Sequence, residues 1–467
     1  MKFFLMIETI FSMLSVVITI FGVDNPGYSL LLLLPAGYSI FFIFFNFFRK
    51  LEKNNIALKS IHVIVFIKYV IMPFFIVINE DYYNGVLTGQ IPASDSVKKA
   101  ILLMFYELII VVFGIYLYSK IKKEIKSNEF QAGVTHFNFA FIVIVIAGFL
   151  LMLKFHEYLL PQSIFVLDSD FTKKTTEFEF DGLVKIIFEI FKLIILLYFL
   201  QKNIINYQKS TKYKYIINTG ICTLIYIAFQ TSTSRWGILI PVLVIFYFCS
   251  IYFKKNFKII AIVVGSVLVV SILSISVYKF AWLFNNQKND SLGYVFKILT
   301  MQFQEYFSGP RAVAQGVEAI EQFENNISIK TFFNDYLGSV PLLSHSIDQK
   351  DRINIYYNYY LKGYKAQATQ IMPMITIGLA YFSWVLSPLL TIINIIFALR
   401  IADKEYLCNN IFYKYIYVYA SIWLSMSLMF NTQIIFGWLI STYIPFLIVL
   451  FLNNHFCIKR KNNEVQS

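Results

Sequence analysis

Residues 101–119 read ILLMFYELIIVVFGIYLYS, and residues 259–277 read IIAIVVGSVLVVSILSISV. Each is a continuous apolar run of about 20 residues, which as a helix rising about 1.5 Å per residue crosses roughly 30 Å of hydrocarbon. A strand of an outer-membrane barrel would instead alternate apolar with polar residues and end after about 10 of them. These runs therefore predict membrane-spanning helices. The whole chain agrees: 58% of its 467 residues are hydrophobic, 18% aromatic and only 14% charged, and its mean hydropathy is +0.64. Such a composition excludes an ordinary soluble protein.

Similar runs can be drawn near 3–22, 28–48, 61–79, 99–119, 138–154, 183–200, 214–231, 236–253, 258–280, 384–400, 410–430 and 434–452. The expected fold is an all-α polytopic integral membrane protein with about twelve transmembrane helices. The first run follows Lys2 and lacks a small-residue cleavage site in FGVDNPG, so it reads as a retained helix. Nine spans fall within 1–280. Residues 281–369 are polar and charge-balanced, with 8 acidic and 8 basic residues, and read as one large extracytoplasmic loop with amphipathic helices between the ninth and tenth spans. Residues 370–452 supply a short membrane-surface helix and three more spans, and 453–467 a basic tail.

A net charge of +13 raises the question of a nucleic-acid partner, which the location of the charge answers. Starting from a cytoplasmic N-terminus, the inner segments hold 21 Lys/Arg against 6 Asp/Glu, whereas the loops at 80–99 and 156–182 hold 4 Lys against 9 Asp/Glu. This is the positive-inside bias, with both termini cytoplasmic. The excess is a topology signal with scope for contact with anionic membrane lipids, and nothing points to nucleic acid. The four cysteines and five histidines show no ligand spacing, and no nucleotide-binding pattern is present, so neither metal nor cofactor is expected.

The chain has only six arginines, and Arg235, Arg311 and Arg352 fall on the expected outer side. There the topology rule gives no reason for a cation. A guanidinium fork binds phosphate through paired hydrogen bonds and stays charged in a poorly hydrated site. One reading is therefore a polyanion held at the outer face; the other is pairing with nearby carboxylates. Arg235 ends the polar turn TSTSR before a span, and Arg311 follows Gly309-Pro310 at an expected helix start, where free N–H groups also favour anions. Interfacial anchoring is the structural alternative for both.

From Asn289 to about Asn326 the pattern is helical and amphipathic, with Tyr294, Phe296, Leu299, Phe303, Tyr306 and Phe307 on an apolar face suited to the membrane surface. Residues 334–352 read as a loop carrying His345, Asp348 and Asp351. The tyrosines of INIYYNYYLKGY, Tyr356 and Tyr360 among them, can stack on sugar rings or form an interfacial belt. The following stretch to Arg400 is too long for one span and contains Pro373, Gly378 and Pro388, which predicts a broken helix. The charges within spans, Glu8, Lys68, Glu107, Glu189 and Lys192, are expected to pair between or along helices rather than form an ion path.

This arrangement resembles the Wzy-type family of O-antigen or capsular oligosaccharide repeat unit polymerases. The resemblance covers most of the chain in topology. Locally it is carried by TSTSR at 231–235, YFSGPRA at 306–312, YLGSVP at 336–341 and TQIMPMITIGLAYF at 369–382. Some members have an Arg, ten residues, then Gly in an outer loop, a spacing that Arg352 and Gly363 match; the version with fifteen residues is not found from Arg235 or Arg311. The resemblance implies a membrane glycosyltransferase that joins undecaprenyl-diphosphate-linked oligosaccharide repeat units at the outer face of the bacterial cytoplasmic membrane, with scope for a chain-length regulator as partner. It would place the diphosphate on Arg235, Arg311 and Arg352 and glycan on Tyr356 and Tyr360. The base that takes the acceptor hydroxyl proton would be His345, with Glu305 and Asp335 as further candidates. A flippase of lipid-linked oligosaccharides would show two related halves with charges along a central path. An O-antigen-type ligase would share the polymerase topology.

Overall fold

The computed structural model describes residues 2–45, 51, 55–80, 82, 90–121, 134–154, 181–229, 235–262, 264–266, 268–269, 292–340, 343–363 and 370–456. Among the described residues every regular element is helical. In chain order the main helices are α1 (Lys2–Phe21), α2 (Leu33–Tyr38), α3 (Ile56–Phe66), α4 (Met72–Ile78), α5 (Ser94–Ile121), α6 (Phe139–Lys154), α7 (Asp181–Ser210), α8 (Lys214–Ala228) and α9 (Arg235–Tyr252). They continue as α10 (Leu292–Tyr306), α11 (Pro310–Phe323), α12 (Ile329–Leu337), α13 (Ile353–Lys362), α14 (Met374–Leu386), α15 (Leu389–Leu407), α16 (Ile411–Ser425), α17 (Thr432–Trp438) and α18 (Ile444–His455). A π-helical turn at Ile67–Ile71 joins α3 to α4.

Among the described residues, four stretches are long and apolar enough to cross a membrane: Pro26–Phe44, Ile56–Ile78, Ser94–Ile121 and Thr432–His455. The bent pair α14 and α15 passes the same test of length and composition only when its two helices are taken together, which counted as one span brings the number to five. The chain is an all-α membrane protein. Its helices gather into two units, one of residues 1–126, 289–406 and 420–438, the other of 127–288, 407–419 and 439–467.

In the first unit a charge pair within apolar surroundings joins four segments. Lys68 Nζ donates to Glu107 Oε2 at 3.1 Å and to the Leu428 carbonyl at 2.7 Å, and Glu107 Oε1 accepts from Thr391 Oγ1 at 2.8 Å. Both charged side chains are 1% exposed. This is the interhelical pairing expected from the sequence. A second polar contact links Glu8, Tyr38 and His62, with Tyr38 Oη donating to Glu8 at 2.6 Å and His62 Nε2 at 2.8 Å from the same oxygen.

The helices of the 281–369 segment pack into this unit. Phe296 and Phe303 of α10 stack on Phe75, and Asn79 Nδ2 donates to Thr300 Oγ1 at 2.7 Å. The chain breaks at Ser308, whose φ is +50°, and Pro310 opens α11 with Gly309 as its N-cap. α11 is buried from Pro310 to Val317. It lies along α5, with Lys99 paired to Glu321 at 3.1 Å and Glu318 accepting from the Ala93 N–H at 2.7 Å. On its other side it meets α14 so closely that a Cβ on Gly316 would sit 2.8 Å from Thr376 Oγ1.

The predicted broken helix is α14 and α15, bent by 102°. Within α14, Ser383 has φ +65° and ψ −180°, a region open almost only to glycine. The reversal brings the Ser387 carbonyl to 1.9 Å from where a Cβ on Gly378 would stand. Only a residue without a side chain fits there.

The second unit packs α6, α7 and α8 around Phe188 and Phe191, with Ile144, Val145, Met152 and Phe229 against them. Gly148 admits the Phe191 ring, whose Cγ would lie 2.3 Å from a Cβ. Lys192 Nζ donates to Glu189 and to the Phe229 carbonyl, each at 2.7 Å, so this charge is satisfied by its own helix and by the end of α8. Asn453 of α18 accepts from the Asn138 N–H at 3.0 Å and fixes the start of α6.

Three outcomes test this packing by thermal unfolding in detergent. Gly378→Ala costs at least about 2 kcal/mol, because backbone rather than a flexible side chain opposes the new methyl group. Ser383→Gly stabilises by about 1 kcal/mol through relief of strain. Lys68→Met costs about 3–5 kcal/mol by leaving Glu107 buried without its cation, and adding Glu107→Gln recovers a large part of the loss.

Candidate functional site

A cluster of titratable and polar groups in the first unit forms where α12, α13, α14 and α17 meet. α12 starts from a capping box: Ser328 accepts from the Thr331 N–H, and Thr331 Oγ1 accepts from the Ser328 N–H. Asp335 therefore stands on a helix, one turn after Thr331, and not in the loop expected for 334–352. Thr331 Oγ1 also donates to Asp351 Oδ1 at 3.1 Å, and Asn334 Nδ2 donates to the Asp351 carbonyl at 3.0 Å. These bonds bind α12 to the turn before α13.

Arg352 is the N-cap of α13, and Gly363 ends it with φ +68°. The Arg-to-Gly spacing noted in the sequence is thus the length of one helix, with glycine at the left-handed position that terminates it. The guanidinium lies against Gly338, where a Cβ would come within 2.7 Å of Cζ. Arg352 Nη1 donates to Gln349 at 2.6 Å and Nη2 to Gln433 Oε1 at 3.1 Å. Its Nε lies 3.7 Å from Asp335 Oδ1, a charge contact too long for a hydrogen bond, and has no hydrogen-bond partner.

Asp335 is 3% exposed. Its Oδ1 accepts from Gln433 Nε2, its Oδ2 accepts from Tyr381 Oη at 3.0 Å, and the Ile353 N–H also donates to it. Burial raises its pKa to about 7, against the opposite pull of Tyr381, Arg352 and the Ile353 N–H. Burial likewise lowers Arg352 from its ordinary value, with Asp335 opposing, and the group remains cationic at neutral pH. The site thus holds a carboxyl that gains and loses a proton near neutrality beside a fixed cation.

The other sequence-predicted residues fall elsewhere. Arg311 lies buried at the start of α11, its N–H donating to Gln304 Oε1 at 3.3 Å. Tyr357, fully buried on α13, is within the electrostatic reach of both Arg311 and Glu305, so these two belong to a second cluster. Tyr360 joins it by donating to Glu318. Tyr356 stacks on Phe323 at 5.4 Å and donates to Asp351 at 2.9 Å. Tyr356 and Tyr360 are 8% and 7% exposed, so both rings serve as packing with their hydroxyls engaged by carboxylates. His345 is exposed on a separate turn, Ser344–Ser346, and no hydrogen bond or ion pair joins it to Asp335 or Arg352. Arg235 opens α9 in the second unit; its side chain lies outside the described residues.

Sequence reading missed Gln433 and Tyr381. Both sit in stretches dominated by apolar residues, where a single amide or phenol carries no pattern. The SIKT capping signal at 328–331 was available and would have placed Asp335 on a helix.

Between about pH 4 and pH 7 the folded protein keeps a proton on Asp335 that the unfolded chain has released, so stability falls as pH rises across that window and levels off above it. The slope contributed is up to about 1.4 kcal/mol per pH unit. Thermal unfolding of Asp335→Asn, measured from pH 5 to 8, should lack this slope.

No family model matches the chain, and no curated protein and no solved structure matches it either, so the chemistry of this cluster rests on its own geometry.

Proposed function

We propose that the protein is a membrane glycosyltransferase that polymerises undecaprenyl-diphosphate-linked oligosaccharide repeat units into a surface polysaccharide, as the resemblance to the Wzy-type polymerases implies. The observation that carries the reading is the pairing of a buried carboxyl poised near neutrality with an arginine whose Nε–H is uncommitted. In this reading the chain crosses the bacterial cytoplasmic membrane about twelve times, with both termini inside and the Asp335 cluster on the extracytoplasmic face.

The reaction needs two functions that this cluster supplies. The acceptor hydroxyl attacks the anomeric carbon of the donor glycan, forming a C–O bond as the bond from that carbon to the diphosphate oxygen breaks. The hydroxyl proton passes to Asp335, which is a base once ionised. The lipid diphosphate leaves with the bonding pair, and Arg352 stabilises the charge that develops on it.

Purified protein in liposomes, given a lipid-linked repeat unit, should produce a ladder of longer glycans. Asp335→Asn and Arg352→Ala should each lower the rate by at least about 100-fold while the melting transition survives. Arg352→Lys should restore little, since an ammonium cannot reproduce the fork. The rate should rise with pH through about 7, as Asp335 ionises. Absence of any ladder, with transfer of labelled lipid across the bilayer, would replace the polymerase reading by a flippase.

A further inference from the structure

We propose that Gln433 is a positioning residue that bridges Asp335 and Arg352 and keeps their ion pair from closing into a hydrogen-bonded fork, so that the carboxyl remains available to a proton and the guanidinium to an anion. The inference rests on the polymerase reading for what those two groups do, and on geometry for how they are held.

The amide of Gln433 has one orientation that the site accepts. Arg352 has only donors, so the group facing its Nη2 must be the amide oxygen, 3.1 Å away. The amide NH2 then faces Asp335 Oδ1, which accepts from it. The glutamine thus bridges the pair, and the direct Arg352 Nε to Asp335 Oδ1 separation remains 3.7 Å. A guanidinium and a carboxylate with nothing between them ordinarily close to about 2.7–2.9 Å in a two-bond fork. Here the fork is not formed, and the Nε–H is left without a hydrogen-bond partner although the atom is buried. α17 can hold the amide in place because its own start is fixed: Asn431 Oδ1 accepts from the Ile434 N–H at 3.0 Å, and Tyr336 packs on Phe436 at 5.3 Å.

The other titratable groups around Asp335 leave this role to Gln433. Tyr381 of α14 donates to the opposite carboxyl oxygen. Asp351, before α13, is occupied by Thr331, Asn334, Tyr356 and Lys330. Tyr336 on α12 is turned to Thr432. Among the described residues, only the Gln433 side chain is hydrogen-bonded to both Asp335 and Arg352.

The test measures protonation of Asp335 directly and needs no turnover. Dicyclohexylcarbodiimide reacts with the protonated carboxyl, and peptide mass spectrometry of protein in detergent gives the labelled fraction at Asp335 from pH 5 to 9. Gln433→Met keeps the volume and removes both hydrogen bonds; the fork then closes, and the labelling midpoint should fall by at least one pH unit, a tenfold loss in proton affinity. Gln433→Glu puts a second carboxyl against the first, and the midpoint should rise. Opposite shifts in two variants with unchanged melting temperatures are not what a merely structural glutamine produces. Equal midpoints in wild type, Gln433→Met and Gln433→Glu, all folded, would overturn the inference. In the glycan ladder assay the pH dependence of Gln433→Met should shift downward with a lower maximal rate. A wild-type protein that makes no ladder yet shows the opposite labelling shifts would refute the polymerase reading and leave the role of Gln433 standing.

Discussion

The pair of Lys68 and Glu107 is the interaction on which the first unit depends. An ammonium and a carboxylate both removed from water cost several kcal/mol each unless every lone pair and proton is matched. Here the ammonium reaches Glu107 and the Leu428 carbonyl, and the carboxylate reaches Thr391 as well. The span Ile56–Ile78, α5, α15 and the segment before α17 are thereby fixed at one point. Such a contact adds little net stability over an apolar replacement, yet it specifies register. A slide of any one of these segments by a residue would strand a charge in a low-dielectric interior.

That registration carries through to the site. α5, held by Glu107, presents its first turns to α11, and α11 receives α14 through the contact of Gly316 with Thr376. α14 delivers Tyr381, and the segment beginning at Leu428 leads directly into α17 with Gln433. The four residues of the cluster come from positions 335, 352, 381 and 433, and two of the four helices concerned are positioned by the pair at Lys68. A polar site assembled from distant segments needs such fixed supports, since a displacement of 1 Å would replace the 3.7 Å contact of Arg352 with Asp335 by a closed fork or a broken one.

The sequence made some of this legible. Continuous apolar runs such as 101–119 identified membrane helices, because hydrocarbon forces the backbone to satisfy itself within one helix. Pro388 and Gly378 announced the break between α14 and α15, and Gly309-Pro310 announced α11. Arg352 and Asp335 both stand as candidates in the sequence, but separately and for different roles, with His345 ahead of Asp335 as the candidate base. Residue type alone favoured the histidine. Residue type does not foretell burial, and burial of Asp335 follows from long-range packing that no local pattern contains. The tyrosines show the same limit: five in a short stretch fit sugar stacking or an interfacial belt equally, and neither reading contains the helix geometry that turns Tyr356, Tyr357 and Tyr360 inward.

Opposing forces of similar size set the state of Asp335. A cation 3.7 Å away stabilises a carboxylate by about 4 kcal/mol at an effective dielectric of about 20, the equivalent of roughly three pH units. The N–H of Ile353, at the positive end of α13, adds to that pull. Burial outweighs both and still leaves the group near neutrality. A carboxyl in such a balance responds to any change in its cation. When an anion draws on Arg352, the pull on Asp335 weakens and its affinity for a proton rises. An anion bound at Arg352 would thus raise the proton affinity of the neighbouring carboxyl, and the same helix terminus that makes Arg352 an N-cap supplies the N–H that keeps the carboxyl within reach of ionisation.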